Sequence, residues 1–291
     1  MASAVSPPAE ASSRPTDPRV WAQMAVLVVL MAAVFGPTWA WAVGIWAHSE
    51  YYGHGFLVVL VSGFLTWRLL RSAPRPGGST WPGLVLLIGS LALHLVGRFF
   101  DVWFPSGFAF VGALAGALWW LGGSRRLRHF WFPVVYLAFA VPLERFLVLQ
   151  FAQPLQLGAT TVASSLAAGA GLPVKQIGTT LQLPDYTFEV AIPCSGLKSS
   201  IAMSALGALM GFLVQGPAWA RLLIFAASVP IALIANATRI LLTLVLADAI
   251  GPGAAEGFFH TLSGLFVFVI AFLGLLVVSR LLKCTAIRSD I

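Results

Sequence analysis

The stretch Val190-Ala191-Ile192-Pro193-Cys194-Ser195-Gly196-Leu197-Lys198-Ser199-Ser200 decides how the rest of the chain is read. A polar, strand-like run from Thr179 to Glu189 leads into it, and an apolar helix begins directly after it. The Pro-Cys-Ser-Gly turn therefore sets a thiol at the mouth of a hydrophobic helix, where a nucleophile can meet a substrate coming from water.

The surrounding composition says what that helix is immersed in. Of 291 residues, 59% are hydrophobic and only 9% are charged, against about 25% charged in a soluble domain. Such a chain cannot clothe itself in polar surface, so the expected fold is an all-α polytopic integral membrane protein. The net charge is +7, but no soluble face is large enough to gather it for nucleic acid. In a membrane protein the placement of Lys and Arg matters more, because they mark cytoplasmic loops.

Apolar runs recur at residues 20–41, 55–70, 81–96, 107–121, 130–142, 197–214, 218–246 and 258–282. Each approaches the ~20 residues that cross a bilayer, which predicts about eight transmembrane helices. Ala40-Trp41-Ala42 looks like a leader cleavage site, but the many later spans favour an uncleaved first helix. The segment 147–171 carries Gln150, Gln153, Gln156, Thr160, Thr161, Ser164 and Ser165. That is too polar for a lipid-facing span, so it reads as an amphipathic or re-entrant helix at the interface.

The basic residues orient these spans. Arg14 and Arg19, then Arg68, Arg71 and Arg75, then Arg125, Arg126 and Arg128, then Arg221, then Arg280, Lys283 and Arg288 all share one side if 147–171 does not cross. This predicts both termini inside, with a disordered cytoplasmic tail over 1–19 and another tail over 285–291. Between them, 20–284 forms a single transmembrane catalytic domain, with 147–193 outside. Cys194 and Cys284 then lie on opposite sides and form no disulfide.

Three reactive groups converge on the outer side in this arrangement: Cys194 opening the sixth span, Arg239 near the end of the seventh, and His260 opening the eighth. A lone membrane cysteine is often only a small buried hydrophobe. Here a helix N-terminus and a nearby cation would both favour the thiolate. A guanidinium inside a span is costly and marks function; the alternative reading makes Arg239 a structural partner of Glu189 or Asp248. Asn236, one turn earlier on the same face, could orient a substrate carbonyl. His260 suits a general acid/base, and His54 in Tyr51-Tyr52-Gly53-His54-Gly55 is a second candidate. Ser195 and Lys198 match a Ser-x-x-Lys pattern, without its companion motifs. The histidines have no metal-ligand spacing, so no metal or cofactor is expected. Gly112 to Gly116 and Gly207 to Gly211 have the small-xxx-small spacing of helix packing.

From about Glu50 to Phe266 these residues resemble the exosortase/archaeosortase family of membrane transpeptidases. Glu189-Val-Ala-Ile-Pro-Cys194-Ser-Gly-Leu-Lys-Ser is similar to its Cys-Ser-Gly-Leu-(Arg/Lys)-Ser signature; Asn236-Ala-Thr-Arg239 and His260-Thr-Leu-Ser-Gly264 fit its Asn-x-x-Arg and His-x-x-x-Gly motifs. Tyr51-Tyr-Gly-His54-Gly, with Gly53 where Ser is common, looks like its early Tyr-Ser-His-Gly stretch. The resemblance implies substrates: secreted proteins with a tripartite C-terminal sorting signal, made of a Pro-Glu-Pro-like motif, a membrane helix and a basic tail. Cys194 would form a thioester, His260 would carry the proton, and Arg239 would stabilise charge. Arg239 or Lys175 would read the signal's acidic residue. A lipid- or polysaccharide-linked acceptor would release the product, on the outer face of a bacterial cytoplasmic membrane. Two rival readings are plain hydrolysis at the same site and a non-enzymatic component of exopolysaccharide synthesis or export, with Arg239 holding a lipid-linked anionic sugar.

Overall fold

The computed structural model describes the backbone of residues 18–184, 186–251 and 258–288, and side chains within these except at 18–21, 23, 24, 250 and 258–263. The tail expected over 1–19 lies almost wholly outside the described residues, as do 289–291. The chain divides into two compact units, 1–37 and 38–291. The division falls at Pro37 inside the first helix, α1 (Pro18–His48).

The larger unit is built from helices in hydrocarbon-like sequence. After α1 come α2 (Gly55–Leu70), α3 (Trp81–Phe99) and α4 (Trp103–Tyr136), which tightens into a 3-10 turn over Leu137–Ala140. Glycine lets two of these touch backbone to backbone. A Cβ on Gly83 would stand 2.3 Å from the Trp120 nitrogen, and one on Gly116 would stand 2.6 Å from the Leu87 nitrogen. With Gly112 against Ser90, these contacts run α3 antiparallel to the first part of α4.

At Gly123 the backbone leaves the helical region (φ 74°, ψ 173°), and α4 turns back on itself. The second part runs antiparallel to α2: His129 bonds the Leu69 carbonyl at 2.9 Å and the Ser62 hydroxyl bonds the Pro133 carbonyl at 2.6 Å. Residues 103–123 and 124–140 are therefore two helical arms, where the sequence has separate apolar runs. By length and apolarity five described helices qualify as spans, with α2 and α7 (Leu197–Leu213) as shorter apolar helices.

A continuous helical stretch follows: α5 (Glu144–Leu147), a π-helical turn (Val148–Ala152) and α6 (Gln153–Gly169). The chain then forms a three-stranded antiparallel meander, β1 (Lys175–Ile177), β2 (Thr180–Gln182) and β3 (Thr187–Glu189). Gly178, at φ 60°, makes the tight turn between β1 and β2. The strand-like reading of 179–189 thus corresponds to β2 and β3, and the helical reading of 147–171 to α5 and α6.

Next come α7, α8 (Ala218–Ile250) and α9 (Phe258–Leu281). Gly207 meets Ser228, and Gly211 meets the Arg221 carbonyl, drawing α7 against α8 at the small-xxx-small pair read from the sequence. The chain after α9 pairs with the α7–α8 connection: Gln215 N–H donates to the Ala286 carbonyl and Arg288 N–H to the Leu213 carbonyl, both at 2.8 Å. Cys284 is fully buried beside Gly216, at the opposite end of α7 from Cys194. Neither cysteine is in a disulfide.

This topology gives the larger unit two distinct ends. Arg68, Arg71, Arg75, Arg125, Arg126, Arg128, Arg221, Arg280, Lys283 and Arg288 collect at one, the basic end. Cys194 and the sheet occupy the other, the thiol end. Ala42 and Trp46 lie in the same core as Tyr52 and Leu197.

Replacing Gly83 by Val would put a branched side chain into the Trp120 backbone. Overpacking of this kind costs about 1–3 kcal/mol. Thermal unfolding in detergent should show a Tm lowered by several degrees, whereas Gly89→Ala, where a Cβ meets open space, should leave it unchanged.

Candidate active site

Cys194 sits in a 3-10 turn, Ile192–Ser195, which Gly196 ends in the left-handed region at φ 85°. Glycine is required there on two counts. A side chain is strained at that φ, and a Cβ would stand 3.0 Å from Leu233 Cδ2 and 3.4 Å from Asn236 Nδ2. The Gly196 carbonyl accepts the Ser199 and Ser200 hydroxyls at 3.0 and 2.8 Å and the Ser200 N–H at 2.9 Å, which starts α7. Cys194 is buried, 7% exposed, at the foot of this helix.

Asn236, 2% exposed on α8, donates from Nδ2 to the Cys194 carbonyl at 2.7 Å. One of its two amide N–H groups is thus given to the thiol's own backbone. Arg239 is one turn further on α8, on the same face. It lies 21 residues, about 32 Å of helix, beyond Ala218, inside the apolar stretch Ala218–Ala249. Its Nη2 is buried without a hydrogen-bond partner among the described residues. Neither Glu189 nor Asp248 bonds this atom among the described residues.

Ser195 and Lys198 are not brought together. Ser195 is fully buried and its Oγ accepts the Leu197 N–H at 3.3 Å, while Lys198 is exposed. His260 opens α9, and its side chain lies outside the described residues. Lys175 lies exposed on β1. Among the described residues no group of His, Cys, Asp or Glu could hold a metal ion.

His54 precedes α2, with its ring stacked on Tyr52 at 5.5 Å. Its Nε2 is buried and has no hydrogen-bond partner among the described residues. Burial pushes its pKa below the ordinary histidine value, against the opposing pull of the Phe139 and Tyr51 carbonyls.

Sequence reasoning assigned no role to Tyr51 and Tyr52. Burial raises the Tyr51 hydroxyl pKa, and Glu144, Glu50 and Cys194 add to the shift. Burial pushes Tyr52 up to about 12, opposed by the Leu143 N–H and reinforced by Glu144. Both phenols therefore remain donors at neutral pH. Alongside lies an open apolar cavity of about 590 Å³, lined among others by Tyr52, Phe139, Leu143, Leu155, Leu197 and Ser200. It flanks the first turns of α7, directly after Cys194.

The second missed residue is Gln156. It is 7% exposed, and its Nε2 donates to the Val190 carbonyl. The signal was present in the spacing: Gln156, Thr160, Ala163 and Ala167 form the buried face of α6, and the two alanines share a core with Ile240 and Leu244 of α8. That places α6 along the last third of α8, on the side of the sheet.

These features define a polytopic helical membrane protein with a buried thiol at the start of an apolar helix and a guanidinium one turn from its backbone anchor. Residues 46–277 match the family model described as Transmembrane exosortase (Exosortase_EpsH), and the chain belongs to that family. No curated protein and no solved structure matches it.

Two outcomes are expected. Gly196→Ala, strained at φ 85° and pressed on Leu233, should destabilise by about 1–2 kcal/mol, seen as a lowered Tm. For His54, a depressed folded-state pKa means the unfolded chain binds the proton first, so stability is present above the unfolded value of ~6.5 and is lost as pH falls through the folded value. Tm measured from pH 8 to pH 5 should drop more steeply for the wild type than for His54→Phe.

Proposed function

We propose that this exosortase is a cysteine transpeptidase that processes secreted proteins at a C-terminal sorting signal. The observation that carries the reading is the buried, unpartnered Arg239 Nη2 one helical turn beyond the amide that holds Cys194. A buried guanidinium nitrogen with no hydrogen-bond partner among the described residues, in an apolar helix, supports a role toward a charge that arrives or develops there.

In this mechanism the Cys194 thiolate attacks the scissile carbonyl carbon, and Arg239 stabilises the oxyanion. The C–N bond then breaks, the leaving amine takes a proton from His260, and a thioester remains. An acceptor nucleophile gives up its proton to His260 and attacks the thioester, which restores the thiol. No step needs a cofactor. The apolar cavity beside Leu197 and Ser200 supports lateral docking of the signal's membrane helix, and Lys175 or Arg239 would meet its acidic residue. The gathering of basic residues at one end supports an orientation with that end and both termini in the cytoplasm. The thiol end would then face outward from a bacterial inner membrane.

The test is the intact mass of a co-expressed substrate carrying the signal, with wild type, Cys194→Ala, Arg239→Ala and His260→Ala. Loss of the tail with wild type only is expected, and any mass retained beyond water identifies the acceptor. A product heavier by water alone means hydrolysis. Processing that survives Cys194→Ala would overturn the cysteine mechanism.

A further inference from the structure

We propose that Gln156 is a positioning residue for Cys194, forming with Asn236 a two-ended clamp on segment 190–194; this rests on Cys194 being the nucleophile. The segment bridges the sheet and α7, and packing cannot hold its middle. Ala191, Ile192 and Pro193 are all exposed, Ile192 at 47%. Its ends are held instead.

At the first end Val190 is fully buried, its N–H donating to the Thr179 carbonyl at 3.0 Å and its carbonyl accepting Gln156 Nε2. At the other end the Cys194 carbonyl accepts Asn236 Nδ2. The two amides come from different helices, α6 and α8, and both are more than nine-tenths buried. Where water is scarce, a buried carbonyl keeps its donor or suffers the full desolvation penalty. Each amide therefore fixes its carbonyl, and together they fix the height and rotation of the turn that presents the thiol. A helix with an otherwise unexplained polar face thereby gains a specific task.

The test uses full-length enzyme with Cys284→Ser, so that Cys194 is the only thiol, and compares Gln156→Met with Thr160→Val. Thr160 is equally buried on α6, but its hydroxyl bonds only its own helix. A nucleophile displaced by about 1 Å can lose on the order of 10²-fold in rate. Gln156→Met should therefore lower kcat by roughly 10–100-fold with KM little changed, and should speed N-ethylmaleimide labelling of Cys194 several-fold. Thr160→Val should change neither.

Gln156→Glu supplies a second arm. It can donate only when protonated, so its kcat relative to the parent should climb as pH falls. This arm decides the matter if Gln156→Met fails to fold. Unchanged kcat and labelling in Gln156→Met, equal losses in Thr160→Val, or a flat kcat ratio for Gln156→Glu would overturn the clamp. Processing by Cys194→Ala would instead overturn the nucleophile, whatever the labelling shows, so the two failures are distinguishable.

Discussion

Inside hydrocarbon no water is available to satisfy a polar group, so each one must find a partner in the protein or wait for one. Serines and threonines in the helices turn back on the preceding turn, as Ser204 does to the Ser200 carbonyl at 2.6 Å and Thr66 to Ser62 at 2.8 Å. Glycines let backbones meet where side chains would hold them apart. The buried amides of Gln156 and Asn236 go to main-chain carbonyls on either side of the thiol. Against this background, the buried atoms of His54, Arg98 and Arg239 that have no partner among the described residues stand out.

The same constraint gives the site its shape. A turn with three exposed residues needs anchors from outside itself, and two neighbouring helices supply them. Gly196 is the hinge point of this construction: its left-handed φ ends the turn, its missing side chain admits Leu233 and Asn236, and its carbonyl gathers two serine hydroxyls into the start of α7. The Cys-Ser-Gly-Leu-Lys-Ser-Ser sequence is thus as much a recipe for a helix start as a thiol signature.

Much of this was legible beforehand. Apolar runs of near-span length and arginines between them revealed the helical membrane architecture, and even the reversal of α4 showed as the cluster Arg125, Arg126 and Arg128 between two such runs. Asn236 and Arg239 could be placed on one face from spacing alone. What Asn236 bonds could not be read, because its partner is a main-chain carbonyl, and sequence does not display those. Gln156 was hidden for a related reason. In a stretch with many Gln, Ser and Thr, polarity suggested an interfacial surface, and only the 156, 160, 163, 167 spacing betrays a face turned inward. Tyr51 and Tyr52 reach the site through a loop, where periodicity carries no information.

The length of α8 has one more consequence. Its 33 residues make a rod of about 50 Å, well beyond the ~30 Å of hydrocarbon, and α6 and the sheet are fastened to the surplus. In the proposed mechanism the thiol would then be carried at a set altitude above the bilayer midplane, and the enzyme would act as a ruler. For any polypeptide anchored in the same bilayer, the bond that reaches the sulfur is chosen by the number of residues separating it from its own anchor. Selectivity can then reside in a distance, with little demand on the side chains that pass by.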